Sequence, residues 1–296
     1  MRFGDLFRPH EPIARNYYVG TLVFSLILIF GVWSLLSYSG VVKPSFFLPT
    51  PTQVVTAFGK MIETGELIQN TQASVFRVIV GWVLAAIASI PVGILMGSFK
   101  IFEAFFEPFV DFVRYLPVSA MIPLLILYIG LGEEEKIAVI FIGTFFQLVL
   151  MVADATSHVA KDLIDSAYTL GVSRWRIMPL VLIPATLPGI MDALRITLGW
   201  AWTYLIVAEL VAADRGLGIM ILESQRGLRT DKIFAGLITI GLLGFISDFI
   251  FKWLHRVLLP WSPRLQSGSY NAFNLALLRW FNPLMWWQWI RRPSRP

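Results

Sequence analysis

The chain contains no cysteine, which excludes disulfide cross-links, thiolate metal centres and cysteine nucleophiles. Charge is scarce: Asp, Glu, Lys and Arg make up 15% of the 296 residues, against 56% hydrophobic residues and a mean hydropathy of +0.70. A soluble protein of this length has too little interior to hide so much apolar surface, so part of it must face lipid. Only three histidines are present, His10, His158 and His255, and no two stand at metal-ligand spacing. The single Gly-Lys pair, Gly59-Lys60, is followed by Met61, so no phosphate-binding loop ending in Gly-Lys-Ser/Thr exists. The net charge of +5 comes from basic residues scattered between apolar runs, which argues against nucleic acid as a partner.

What the chain does have is continuous apolar blocks, too long and too uniform for the alternating strands of a membrane barrel. The predicted fold class is an all-α polytopic membrane protein with about six transmembrane helices. The expected spans cover residues 18–36, 75–96, 115–131, 137–152, 186–213 and 233–251. The third carries Pro117 and Pro123 and is barely long enough to cross. Residues 1–17 show no small-residue cleavage site and read as a cytoplasmic segment. Residues 260–296, with Trp280, Trp286, Trp287 and Trp289 beside arginines, read as a cytoplasmic tail at the membrane interface. One side of this arrangement holds 14 Lys or Arg residues and the other 7, so the positive-inside rule puts both termini in the cytoplasm.

Between spans four and five, residues 154–184 are polar enough to leave the membrane yet patterned for an amphipathic helix. Leu163, Ile164, Ala167, Tyr168, Val172 and Trp175 recur at three- and four-residue steps. Gly171-Val172-Ser173 reads as a bend, and a second short helix from Arg174 is expected to end near Pro179 or Pro184. Such a helix-bend-helix is either a docking element or an interfacial helix packed on its own protein. Inside the spans, Asp111 with Arg114, Asp192 with Arg195 and Asp248 with Lys252 are spaced to pair along one helix. Glu209 has no basic residue three or four positions away. It is read as a hydrogen bond to a neighbouring helix or the Gly216 loop, or as a gate. Arg114, Gln147, Arg195, Thr203 and Glu209 are the candidates for the translocation path. Glu133-Glu134-Glu135 reads as a solvated turn or a partner-facing rim, or as a cation site. No acid, base and nucleophile constellation supports an intramembrane enzyme. An ion-coupled secondary transporter stays open as an alternative, although no internal repeat is visible.

Asp165-Ser166-Ala167, then Gly171, then Val181-x-Ile183-Pro184 resembles the EAA signature of importer permeases of the ATP-binding-cassette class. That signature reads Glu-Ala-Ala, three residues, Gly, nine residues, Ile-x-Leu-Pro. Three further stretches are similar to the nitrate, sulfonate and taurine branch of those permeases: Leu48-Pro49-Thr50-Pro51-Thr52-Gln53-Val54, Arg114-Tyr115-Leu116-Pro117 running to Ile122-Pro123-Leu124, and Ala208-Glu209-Leu210 with Gly216-Leu217-Gly218. The resemblance implies a type I importer permease fold with a cytoplasmic coupling helix. Asp165, Ser166, Ala167, Gly171, Val172, Ser173, Arg174 and Trp175 would then contact a separate ATPase subunit. It further implies a homodimer in a bacterial inner membrane, surrounded by lipid, joined by two such ATPases and fed by a periplasmic or lipid-anchored solute-binding protein. Residues 216–231 would form a short outer helix that meets this delivery protein. The chain itself would hold no cofactor and catalyse nothing; ATP and magnesium would sit on the ATPase. The expected solute is a small anion of the nitrate, bicarbonate, sulfonate or taurine class, moved by alternating access.

Overall fold

The computed structural model describes residues 15–42 and 47–261, so the predicted N-terminal segment and most of the tail lie outside the described residues. Among the described residues every regular element is helical. They fall into two units, one carrying the first helix and the other spanning Thr52–Leu259.

In the first unit α1 (Arg15–Tyr38) is apolar on all sides and none of it is buried in protein. A helix apolar all round is a lipid-facing helix. Three of its hydroxyls bond back to their own backbone: Thr21 Oγ1 to the Tyr17 carbonyl at 2.9 Å, Ser25 Oγ to the Leu22 carbonyl at 2.8 Å and Ser37 Oγ to the Ser34 carbonyl at 3.2 Å. The Trp33 indole N–H donates to the Pro49 carbonyl at 3.1 Å.

The second unit begins with α2 (Pro51–Glu63), whose Val54, Ala57 and Met61 form one buried face at helical spacing. Proline suits its first position, where an N–H has no helical partner. Next come α3 (Glu66–Ser98), α4 (Lys100–Arg114), α5 (Val118–Ile129), α6 (Glu133–Ser157), α7 (Lys161–Thr169), α8 (Arg174–Ile177), α9 (Ile183–Ala212), α10 (Leu217–Arg226) and α11 (Thr230–Leu258). At about 1.5 Å per residue, α3, α6, α9 and α11 each exceed the roughly 30 Å of a hydrocarbon core. All four, and α1, are apolar enough to cross it.

The expected third span is not one straight helix. Helices α4 and α5 meet at 97°, with Tyr115, Leu116 and Pro117 at the break. Pro117 lacks an N–H and disfavours helix at Leu116, so the chain turns there. Expected boundaries elsewhere shift as well: α3 opens at Glu66 and α6 at Glu133, before the apolar runs that mark them in sequence. Helix α3 packs along α6, and α6 along α9. One core cluster joins Val78, Ile140, Leu198, Ala201, Trp202 and Leu205, and another joins Ala86, Ile94, Leu148, Val152, Ile190 and Ala193. A Cβ at Gly93 would lie 2.6 Å from Val152 Cβ, so only the missing side chain lets α3 and α6 approach so closely.

Candidate functional site

At one end of the bundle α7 and α8 form the helix-bend-helix. Helix α7 closes with a Schellman pair: the Val172 N–H donates to the Ala167 carbonyl at 3.0 Å and the Gly171 N–H to the Tyr168 carbonyl at 2.9 Å. Gly171 takes φ +80°, a backbone region in which a Cβ is penalised. Ala167 and Ile177 anchor the motif inward, and Val172 is half-buried. Asp165, Ser166, Ser173, Arg174 and Trp175 are exposed, and so are Leu163, Tyr168 and Leu170. Leu170 at 83% and Trp175 at 75% exposure form an apolar knob, and the Arg174 guanidinium lies 5.5 Å over the Trp175 ring.

The expected stop at Pro179 or Pro184 does not occur. Helix α8 passes into a π-helical turn, Met178–Leu182, and then into α9. The Ile183 N–H reaches back five residues to the Met178 carbonyl. A wide turn of this kind lets a proline, which has no N–H to give, remain inside a continuous helical path. The exposed knob is thereby joined to a membrane span without a flexible linker.

Three of the five translocation-path candidates come together. Arg114, Gln147 and Thr203 line a cavity of about 330 Å³ beside the α4–α5 break, together with Tyr115, Ser119 and Tyr204. Arg114 Nε lies 3.0 Å from Asp111 Oδ1, and its NH2 donates to the Tyr115 hydroxyl at 2.9 Å. The other two candidates lie elsewhere. Arg195 reaches across to Asp248 of α11 at 3.3 Å, an inter-helix contact that one-helix spacing did not anticipate. Asp248 also holds Lys252, and Asp192 lies 3.9 Å from His255 Nδ1.

Glu209 is wholly buried at the end of the bundle that carries α10. Its Oε1 accepts from Ser74 Oγ and from Arg77 NH1, each at 2.7 Å, and its Oε2 accepts from the Gly218 N–H at 2.7 Å. Arg77 also donates Nε to Glu133 Oε2 at 2.6 Å and NH1 to the Arg215 carbonyl at 2.6 Å. Three successive N–H groups at the start of α10 are thus capped from other helices. Gly216 donates to Asn70 Oδ1 at 2.8 Å, Leu217 to Ser74 Oγ at 2.9 Å, and Gly218 to Glu209. A helix start offers unpaired donors and a positive dipole end, which a carboxylate satisfies best. Gly216 sits at φ +137°, and a Cβ there would collide with the Glu209 carboxyl group. A further cavity of about 710 Å³ opens beside this cluster, lined by Arg77, Glu133, Lys136, Arg215 and Arg226 among others.

Sequence reasoning missed Arg77, Ser74 and Asn70, which precede Glu209 by more than 130 residues. The only available signal was an arginine inside an apolar block. The acidic triplet is also corrected: it opens α6, and Glu135 is fully buried beside Lys136, so it is not a solvated turn.

The model of a protein family described as "Binding-protein-dependent transport system inner membrane component" matches residues 89–259. A probable ABC transporter permease protein of Brucella abortus (strain 2308) is 36% identical over 251 residues, covering 85% of this chain and 99% of that one. The taurine transport system permease protein TauC of Escherichia coli (strain K12) is 32% identical over 262 residues, covering 86% and 94%. Among solved structures, an inward-facing form of the MetNI methionine ABC transporter superimposes with a TM-score of 0.53 at 22% identity, over 63% of this chain and 94% of that one.

Proposed function

Because the chain belongs to the family of binding-protein-dependent transport system inner membrane components, we propose that it forms one half of an importer that carries a small sulfonate-like anion into a bacterial cell. The chain is a multi-pass, all-α permease of the ATP-binding-cassette class, the membrane-spanning subunit of an ATP-driven importer with the type I fold. No observation favours the ion-coupled alternative.

In this reading both termini face the cytoplasm of the inner membrane, and two copies enclose the path. Separate ATPase subunits carry ATP and magnesium and seat on α7 and α8, with Asp165, Ser166, Ala167, Gly171, Val172, Ser173, Arg174 and Trp175 as the contact. The α10 end faces outward and receives solute from a periplasmic or lipid-anchored binding protein. Closure of the ATPases pulls on the α7–α8 element, and the π-helical turn transmits that displacement to α9. The cavity at the α4–α5 break then alternates between the two faces, with Arg114 supplying the positive charge and Gln147 and Thr203 the neutral donors that an oxyanion needs. The anion reading is supported by that arginine and by the taurine permease among the relatives. Arg195 and Glu209 act as structural pairs and not as solute contacts.

The observation that carries the reading is the exposed, glycine-closed α7–α8 knob continuous with a span. Its test is Gly171→Arg in the tagged chain, purified gently from its native membrane. The expected result is loss of the co-purifying ATPase with helix content and membrane insertion unchanged. Full ATPase recovery with this variant would remove α7–α8 as the contact.

A further inference from the structure

A hydroxyl inside a membrane helix ordinarily donates to its own backbone. Along α6, α9 and α11, Thr144, Thr156, Thr186, Thr197, Thr239 and Ser247 each donate to the carbonyl four residues back, at 2.7 to 2.9 Å. Thr203 of α9 departs from this pattern, its hydroxyl having no partner among the described residues. The same holds for the hydroxyls of Ser119 and Tyr204 and for the amide of Gln147. All four side chains line the cavity beside the α4–α5 break, so α5, α6 and α9 present uncommitted polar groups to one space. Arg114 is the sole charged residue of that lining. Its Nε and NH2 face Asp111 and Tyr115, which leaves NH1 uncommitted. Asp111 lies outside this lining; it borders a separate cavity of about 360 Å³ with Glu103, Glu107 and Asp154.

Tyr204 differs from the other three in being supported from behind. A Cβ at Gly143 would lie 2.6, 2.8 and 2.8 Å from the ring atoms Cδ2, Cε2 and Cγ, so the ring lies flat on the α6 backbone. Gly143 is buried, and Gln147 stands one turn further along the same face of α6. Only a residue without a side chain admits the ring so close to the helix. An aromatic ring seated by packing carries its hydroxyl in one register, the condition for a contact that discriminates. The same seat sets the free space, because the ring and Gly143 both border the cavity. Ile142, Phe146 and Val207 make much of the remaining wall apolar.

We propose that Tyr204 is a specificity-determining residue of the translocation path: its hydroxyl donates to the oxyanion group of the solute, and its ring sets the length of apolar tail that fits beside it. Gly143 is the positioning residue that seats the ring. The inference rests on the proposed function, in which this cavity receives an anion. Arg114 attracts negative charge whatever molecule carries it, whereas the seated phenol distinguishes short-tailed from long-tailed oxyanions. An apolar wall with a few convergent donors suits an organic oxyanion better than a wholly polar one.

The test uses the permease purified with its ATPase and without solute-binding protein, so that only the membrane path selects. Affinities for ethanesulfonate and hexanesulfonate are read by ligand-detected saturation-transfer NMR. The unsubstituted complex is expected to bind ethanesulfonate. Tyr204→Phe keeps the ring and loses only the hydroxyl, and should bind it about tenfold more weakly. Tyr204→Ala should shift the preference between the probes about tenfold toward hexanesulfonate, and Gly143→Ala, which lifts the ring off α6, about tenfold the other way. Gly143→Ala in the Tyr204→Ala background should accept hexanesulfonate again, because the ring it displaces is gone. Helix content and ATPase recovery stay unchanged throughout. Unchanged ethanesulfonate affinity in Tyr204→Phe would overturn the proposal. So would an equal loss of hexanesulfonate binding from Gly143→Ala with and without the ring. If the unsubstituted complex binds neither probe, the anion reading of the cavity fails and the proposal with it, an outcome that shows before any substitution is made.

Discussion

Helices α7 and α10 close with the same two hydrogen bonds, yet one uses Gly171 and the other Leu228 at the left-handed position. Their opposite ends differ too. Three side chains from α3 and α9 cap the start of α10, whereas α7 starts at Ala160 without a side-chain cap. The fold therefore holds α10 in place by buried polar bonds and leaves α7 positioned by one buried face and its continuity with α9. A rigid platform at one end and a lightly tethered knob at the other suit different tasks. A platform receives a partner in a set register, and a knob must follow a partner that moves.

Several substitutions would break or sharpen this contrast. The largest effect is expected from Glu209→Ala, which takes the acceptor from the Ser74 hydroxyl, the Gly218 N–H and one arm of Arg77, the arginine keeping Glu133 and the Arg215 carbonyl. A cost of about 3 kcal/mol or more is expected for leaving several buried donors without an acceptor, read as a large drop in the melting temperature of the purified permease. Hydrogen exchange should rise in α10 and leave α7 unchanged; equal loss of protection in both helices would dissolve the contrast. Ser74→Ala removes a hydroxyl that both donates to Glu209 and accepts from Leu217, and should cost about 1–3 kcal/mol in the same assay. Gly171→Ala places a Cβ at φ +80°, where space is open but the backbone is penalised. About 1 kcal/mol of destabilisation is expected, confined to α7 in hydrogen exchange, with partial loss of ATPase recovery. The smallest effect is a gain: Leu228→Gly should stabilise by about 1 kcal/mol or less, and loss of stability there would show that leucine is packed after all.

Much of the architecture was legible because lipid exposure forces an unambiguous pattern. Helices must satisfy their own backbone in a membrane, so runs such as Val75–Met96 announce themselves. The Gly171 turn was legible for a similar reason, as glycine between amphipathic stretches has a narrow range of uses. The α4–α5 break was only half legible: Pro117 marked an irregularity, but the 97° angle depends on what α4 and α5 pack against. The π-helical turn was misread because proline in sequence signals a stop, whereas neighbouring helices and a widened turn absorbed it here.

Composition and pattern alone determined that this chain is a helical membrane protein without disulfides or a phosphate-binding loop, and that one polar connection carries a glycine-bent helix. Those properties follow from the cost of exposing apolar surface to water and polar backbone to lipid, which each residue meets locally. Only the tertiary structure decided that Arg77 and Glu209 pair, that Asn70 and Ser74 cap a helix far along the chain, and that a leucine holds a glycine's conformation. Such partners are chosen by distance after packing, and residues separated by more than a hundred positions leave no periodic trace of the contact they will make.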